Sequence, residues 1–283
     1  MPANLLEGKP IALKIKEEIK QQVQALGTKP VLASVQVGEN AGAEAYAKSQ
    51  QKTADSLGIE YRFQKLGKET TEAALCEFIQ KLNSDKSVNG IIIQMPLPPQ
   101  IDYKKISQFI LPEKDVEGLH PANIGKIVFG RAKVLPCTPA AVMELLKETK
   151  IDLNGKEVVI VGHSEIVGKP LALLLLEKFA TVTVCHIGTS QAGKLQDHVK
   201  KAEILIVAVG KAGLIKGDWI EEGTTVIDVG INRVEGKIVG DVDFEGASQR
   251  ASLITPVPGG VGPLTVTMLM RNTLECARLQ RGK

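Results

Sequence analysis

Short aliphatic runs alternate with helical stretches along this 283-residue chain, and few folds accept that alternation. Residues 30–37, 61–66 and 88–94 read as strands, the last running into Met95-Pro-Leu-Pro-Pro99. Helices fit residues 10–26, 43–57 and 71–82. Ile11, Ile15, Ile19 and Val23 recur four apart on one face of the first helix, while Gly27 and Gly58 end the first and second. A second set begins after Pro136-Cys-Thr-Pro139 with a helix over 140–149. Strands follow at 157–161, 181–185, 204–209, 225–229 and 252–255, with helices at 168–178 and 191–201. Strand–helix alternation of this kind predicts an α/β fold in two sets, each a mainly parallel sheet covered by helices. The second set reads as doubly wound and nucleotide-binding, with its ligand expected at the carboxyl ends of the strands. A last helix, from about residue 264 to 280, lies beyond that sheet and is expected to return to the first domain. Aromatic residues make up only 4% of the chain, so the cores must be built from Ile, Leu, Val and Ala.

Charge and targeting signals exclude several classes. The net charge is +3, and basic residues alternate with acidic ones, as in Lys14-Ile-Lys-Glu-Glu18, which is a solvated helix face and not a nucleic-acid patch. The first residues hold no basic segment followed by an apolar one, and the longest aliphatic run, residues 171–176, is too short to span a bilayer. A cytoplasmic chain without membrane or nucleic-acid partners is expected. Cys76, Cys137, Cys185 and Cys276 are scattered and form no Cys-x-x-Cys pair, and the four histidines lack ligand spacing, so reduced thiols and no metal are expected.

The segment Val159-Ile-Val-Gly162-His-Ser-Glu-Ile-Val-Gly168-Lys-Pro170 reads as strand, turn and helix. Gly162 allows a tight turn, Gly168 lets helix pack on strand, and Pro170 suits a first helical turn. The exposed N–H groups and positive helix end would receive a pyrophosphate. The spacing departs from Gly-x-Gly-x-x-Gly, and an ordinary α/β turn gives the same residues; the strands around it favour the nucleotide.

Four segments carry a resemblance: Tyr46-(x)5-Lys52-(x)5-Gly58-Ile59, Gly90-Ile-Ile-Ile-Gln94-Met-Pro-Leu-Pro98, Lys114-Asp-Val-Glu-Gly118 and Pro256-Val-Pro-Gly-Gly-Val-Gly-Pro263. With the loop 162–168 and the stretch Val226-Ile-Asp-Val-Gly-Ile-Asn232, they resemble, in order and over nearly the whole chain, the methylenetetrahydrofolate dehydrogenase/cyclohydrolase family. The resemblance implies two α/β domains flanking a cleft, usually in a homodimer. Residues 1–139, completed by the C-terminal helix 264–283, would be the folate-binding catalytic domain, and 140–263 a Rossmann NAD(P)-binding domain. It implies oxidation of 5,10-methylenetetrahydrofolate to the methenyl form by hydride transfer, then, in most members, hydrolysis to 10-formyltetrahydrofolate.

By the same resemblance Tyr46, Gln50, Gln94 and Glu117 are the catalytic positions: Tyr46 stacks on the pterin, Gln94 pairs with the residue at position 50, and the carboxylate of Glu117 bonds the amidine edge of the pterin, while Pro258, Gly259, Gly260, Val261, Gly262 and Pro263 form a glycine-rich wall against it. Gly162, His163, Ser164, Ile166, Val167, Gly168, Ile187, Gly230, Ile231 and Asn232 would hold the coenzyme. Family members carry a Lys four residues after the Tyr, paired with the Gln of Gln-Met-Pro-Leu-Pro. Here that residue is Gln50, which shares a helical face with Tyr46, whereas Lys48 and Lys52 project elsewhere. An amide does not titrate and cannot act as general acid or base. Glu117 also replaces a family Asp and reaches one methylene further. The expectation is a dehydrogenase whose cyclohydrolase activity is lost or weak; the alternatives are a fully bifunctional enzyme and a non-catalytic folate- and nucleotide-binding subunit. A 2-hydroxy-acid dehydrogenase would want a His–carboxylate pair that the sequence does not place. For the coenzyme, the family favours NADP, whereas His163 and Ile187, standing where many members offer Arg or Ser, favour NAD, with His163, His186 or Lys194 able to compensate as phosphate ligands; NADP is kept narrowly ahead.

Overall fold

The computed structural model describes residues 2–282. In chain order the elements are β1 (Asn4–Leu5), α1 (Gly8–Leu26), β2 (Val31–Val37), α2 (Ala41–Leu57), β3 (Glu60–Leu66), α3 (Glu72–Ser84), β4 (Gly90–Ile93), α4 (Tyr103–Phe109), α5 (Pro121–Val128) and α6 (Cys137–Thr149). There follow β5 (Glu157–Val161), α7 (Gly168–Leu176), β6 (Thr181–Cys185), α8 (Ile187–Gln191), α9 (Leu195–Val199), β7 (Ile204–Val207), β8 (Thr225–Asp228), β9 (Asn232–Val234), β10 (Lys237–Val239), α10 (Phe244–Ser248), β11 (Leu253–Ile254) and α11 (Val261–Arg281). The chain divides into two compact units, one of residues 14–137 with 266–283 and one of residues 1–13 with 138–265.

The unit containing residues 14–137 is built on a parallel sheet ordered β3-β2-β4. Every residue of β2 is buried, as expected of a central strand covered on both faces. Val31, Ala33, Val35 and Val37 pack with Leu75, Ile79 and Leu82 of α3 and with Ile91, Ile93 and Ile106. Helix α2 starts at Asn40, whose side chain accepts from Ala43 N, and stops at Gly58, which takes φ 77°. Lys114 of the Lys-Asp-Val-Glu motif is buried, and its Nζ donates to the Leu82, Asn83 and Asp85 carbonyls at 2.7–2.9 Å, closing the end of α3. The later part of α11 belongs to this unit. Asn272 Nδ2 donates to the Val116 and Leu135 carbonyls, and Gln280 Nε2 to those of Asn89 and Glu113.

The other unit carries a six-stranded parallel sheet ordered β1-β11-β8-β7-β5-β6 and a β9–β10 antiparallel hairpin. Val159, Val161, Leu205, Val207, Val226 and Ile254 form its core with Leu195 and Val199 of α9. Two features depart from the sequence reading. Residues 1–13 fall with this unit and not with residues 14–137, because Asn4 and Leu5 pair in parallel with Leu253 and Ile254 and Gly8 N donates to Gly259 O. The predicted helix over 191–201 is instead α8 and α9, separated at Gly193, whose φ of 69° cannot continue a right-handed helix.

Candidate active site

In the unit of residues 14–137, Tyr46 and Gln50 lie one turn apart on α2, but their environments differ. Tyr46 is 41% exposed, whereas Gln50 is fully buried. Gln50 Oε1 accepts from Tyr61 OH on β3 and from Gln94 Nε2 just after β4, both at 2.7 Å. Gln94 Nε2 also donates to Ser34 Oγ on β2 at 3.0 Å. The helix, both edge strands and the central strand thus meet on one amide. Its Nε2 has no hydrogen-bond partner among the described residues. Leaving a buried donor unmade costs about 1–3 kcal/mol, so an acceptor brought by a ligand would find this amide nitrogen available.

The Tyr46 ring is open while its hydroxyl is largely desolvated; burial pushes the phenol up to about 12, with Cys137 and Glu117 adding to the shift and the Gln50 amide opposing it. Glu117 is half-buried, and Tyr103 OH donates to its Oε2 at 3.2 Å. Burial first, and then the negative charge of Asp115, push its carboxyl up to about 8. With that burial and that neighbour, Glu117 is biased toward its protonated form near neutral pH and is a carboxyl group able to donate or accept. Tyr46, Gln50, Gln94 and Glu117 are therefore gathered in one site. No lysine named in the sequence reading replaces the amine missing from position 50, because Lys48 and Lys52 are exposed and Lys114 Nζ is held by three carbonyls. Tyr61, Ser34 and Tyr103, which orient these groups, were missed. Each sits in a strand or helix pattern that marks it only as structural.

The glycine-rich wall lies in the other unit. Residues 256–263 border a cavity of about 360 Å³ whose opposite wall is Asp228, Val229, Gly230, Ile231 and Ile238. Gly260 packs so tightly that a Cβ would stand 2.7 Å from Thr255 Cβ. Pro258 to Pro263 thus share a cavity with Gly230 and Ile231, two of the coenzyme candidates. The Asn232 side chain braces this part of the site, its Nδ2 donating to Asp241 Oδ1 at 2.9 Å. Asp241, which sequence reading did not single out, is fully buried and also accepts from Val209 N, Gly210 N and Lys211 N. Beside it Asp228 accepts from Gly230 N, Asp241 N and Val242 N, and burial raises its carboxyl to about 6. These two carboxylates shape the loops after β7 and β8. Nothing periodic marks such residues in sequence.

A second cavity, of about 340 Å³, lies at the carboxyl ends of β5, β6 and β7 and is lined by Gly162, His163, Ser164, His186, Ile187 and Lys211 among others. Gly162 takes φ 127°, and a Cβ there would stand 2.3 Å from Ala208 O; a Cβ on Gly168 would stand 2.0 Å from Gly162 O. Both glycines are required for the close turn between β5 and α7 that a dinucleotide phosphate loop needs. Ser164 Oγ accepts from Val167 N, and Val167, at the start of α7, provides no side-chain cap. Ile166 is 48% exposed and Ile187 69% exposed. These residues fit an adenine dinucleotide.

Comparison with known proteins agrees. Residues 6–117 match the tetrahydrofolate dehydrogenase/cyclohydrolase catalytic domain, and residues 136–281 match the NAD(P)-binding domain of the same family. The chain is 50% identical over 280 residues to the bifunctional protein FolD of Pelobacter propionicus, covering 98% of each. Among solved structures, the bifunctional FolD methylenetetrahydrofolate dehydrogenase/cyclohydrolase of Campylobacter jejuni is 46% identical, with a TM-score of 0.94 over 98% of this chain and 99% of that one. The Trypanosoma brucei dehydrogenase-cyclohydrolase, solved with NADP and an inhibitor, is 36% identical with a TM-score of 0.94 over the full length of both.

Proposed function

Because the chain belongs to the tetrahydrofolate dehydrogenase/cyclohydrolase family, we propose that it oxidises 5,10-methylenetetrahydrofolate to 5,10-methenyltetrahydrofolate with NAD(P). The observation that carries this reading is the buried Gln50 amide, clamped at its oxygen by Tyr61 and Gln94 with its nitrogen unpartnered beside the open Tyr46 ring. The bound nicotinamide would supply the hydride acceptor; Gly162, Ser164, Val167 and Gly168 would hold its phosphates, and Gly230, Ile231 and residues 258–263 would shape the ring's surroundings. Removing hydride from a carbon flanked by two nitrogens asks for orientation more than proton transfer. Tyr46 provides a stacking face, Gln50 Nε2 donates to a folate acceptor, and Glu117 meets the polar edge of the pterin.

For the hydrolytic step, two observations pull apart. Relatives about half identical to this chain carry the name bifunctional, which favours an enzyme that also forms 10-formyltetrahydrofolate, and Glu117 offers a carboxyl that titrates near neutrality. The amide at position 50, by contrast, favours weak or absent hydrolysis, since it cannot move a proton. The likeness to bifunctional relatives weighs more than the single substitution. One assay tests the whole reading: purified protein, methylenetetrahydrofolate and each coenzyme, following reduced nicotinamide and methenyl absorbance together. Absence of coenzyme reduction sinks the dehydrogenase. Reduction without methenyl accumulation supports bifunctionality, and accumulation decaying at the buffer rate supports loss of the second step. We also infer a homodimer, from the family, and a reducing cytoplasm, which suits four free cysteines; light scattering at micromolar protein tests the first.

A further inference from the structure

The carboxyl of Glu117 has a partner to which the proposed reaction gives no part. Tyr103, the first residue of α4, donates from its hydroxyl to Glu117 Oε2 at 3.2 Å. Its ring is partly buried and packs on the core that includes Ile91, Ile93 and Ile106. The start of α4 is tied down from α3: Glu72 accepts from Asp102 N at 3.0 Å and from Lys105 Nζ at 3.5 Å, and Asp102 accepts from Lys104 N at 2.8 Å. The backbone at Glu117 is held as firmly. Asn272 Nδ2 donates to the Val116 carbonyl at 2.8 Å, and Gly118 turns the chain at φ 68°, where a Cβ would stand 2.6 Å from the Leu135 carbonyl carbon. What remains adjustable is the Glu117 side chain itself, and the Tyr103 hydroxyl takes one of its oxygens.

That contact bears on how the carboxyl meets a ligand. Glutamate reaches one methylene further than the aspartate of the family motif, and Tyr103 sets where the extra length goes. Adjacent donors, such as the ring N–H and amino group of a pterin amidine edge, bind best to an ionised carboxylate, which accepts at both oxygens. Burial, and then the charge of Asp115, disfavour that form and push Glu117 up to about 8, while the bond from Tyr103 opposes them. Burial and the charge of Glu117 hold the Tyr103 phenol above its ordinary value, so it stays protonated and goes on donating. The other titratable and charged groups around this carboxyl are Asp115, whose Oδ2 accepts from His120 N and Asn123 Nδ2, Tyr46 of α2, Cys137 at the start of α6, and Arg271 of α11, whose charge acts on Cys137.

We propose that Tyr103 is the positioning residue of the pterin subsite and that folate binding there is coupled to release of a proton: the Tyr103 hydroxyl anchors Glu117 Oε2, the amidine edge of the pterin takes the carboxylate, and the carboxyl proton leaves to solvent as the ligand arrives. Folate affinity therefore rises with pH until Glu117 is ionised without a ligand. This rests on the folate reading of the site, but not on which one-carbon step follows.

The test is calorimetric binding of tetrahydrofolate to the full chain from about pH 6 to about pH 9, in buffers of different ionisation enthalpy, which counts the protons released without turnover. The native chain should release about one proton per folate at the acid end and almost none at the alkaline end, with affinity rising by up to about tenfold per pH unit between them. Glu117→Gln cannot ionise at this position, so it is the reference for every other titrating group, the ligand included; its affinity should stay level. Tyr103→Phe keeps the ring on the core and removes only the hydroxyl. Its carboxyl loses a bond to the charged form, so affinity should fall about tenfold at neutral pH, proton release should persist to higher pH, and the deficit should narrow at the alkaline end. A merely structural Tyr103 would lower affinity by the same factor at every pH. That result, or a native proton release no greater than that of Glu117→Gln, would overturn the proposal while leaving the folate site intact. Failure of the native chain to bind tetrahydrofolate at all would instead remove the folate reading itself.

Discussion

Gln50→Lys puts an amine back where the family carries one, and its consequences follow from the contacts at that position. The side chain is fully buried, and its Oε1 is the acceptor for Tyr61 OH and Gln94 Nε2, both at 2.7 Å. The substitution removes that acceptor. Tyr61 can turn its hydroxyl to accept from the amine, and Gln94 can turn its amide at the expense of its 3.0 Å bond to Ser34. Rearranging two buried hydrogen bonds should destabilise the fold by about 1–3 kcal/mol. Burial also disfavours the ammonium form and brings a lysine toward neutrality, which is what proton transfer to and from the methenyl adduct requires. General acid–base assistance is typically worth ~10²–10⁴-fold. The decay of methenyl absorbance without coenzyme isolates hydrolysis; if the amide at position 50 is what limits that step in the native chain, it should quicken at least about 100-fold in the variant, corrected for buffer. The dehydrogenase rate should change far less, because hydride transfer does not use this proton. A native chain that already hydrolyses methenyltetrahydrofolate far faster than buffer, with no gain in the variant, would refute the reasoning. Glu117 would then be the proton carrier to examine.

Tyr46→Ala removes the open aromatic face, and folate affinity by calorimetry should fall by about 1–3 kcal/mol while coenzyme affinity holds; a common loss would make Tyr46 a structural residue. Glu117 keeps its proton to about pH 8 when folded, whereas its ordinary value is 4.5, so folding takes up a proton between those values. Stability should therefore fall as pH rises from about 4.5 to about 8, and Glu117→Gln should flatten that slope in melts across the range; an unchanged slope would show that the carboxyl ionises normally. Asp241→Asn sets an amide donor among four donors that now converge on a carboxylate, which should cost about 1–3 kcal/mol and loosen the loop at Val209, Gly210 and Lys211. Coenzyme affinity should drop with folate affinity retained, and intact coenzyme binding would refute that role for Asp241.

What the sequence determined by itself was local. Strand and helix periods are properties of a few neighbouring residues, so β2, α2, β5 and β6 were legible from spacing, as was the pairing of Tyr46 with Gln50 on one helical face. The turn at Gly162 and Gly168 was legible because only glycine permits so close an approach, which the distances to Ala208 O and Gly162 O bear out. The tertiary structure decided whatever depends on residues far apart in the chain. A two-residue strand has no period, so β1 could be assigned only by its partner near the other end of the sequence. The same is true of chemistry. Glutamine is an amide in any context, and its failure to titrate could be stated from the sequence. That its oxygen is filled by Tyr61 and Gln94 and its nitrogen left open required β3 and β4 beside α2. Glutamate is ordinarily a carboxylate at neutral pH; what holds the proton on Glu117 is the burial and the neighbouring Asp115 that the fold imposes. Charge state and hydrogen-bond satisfaction belong to an environment, and only the packed chain supplies one.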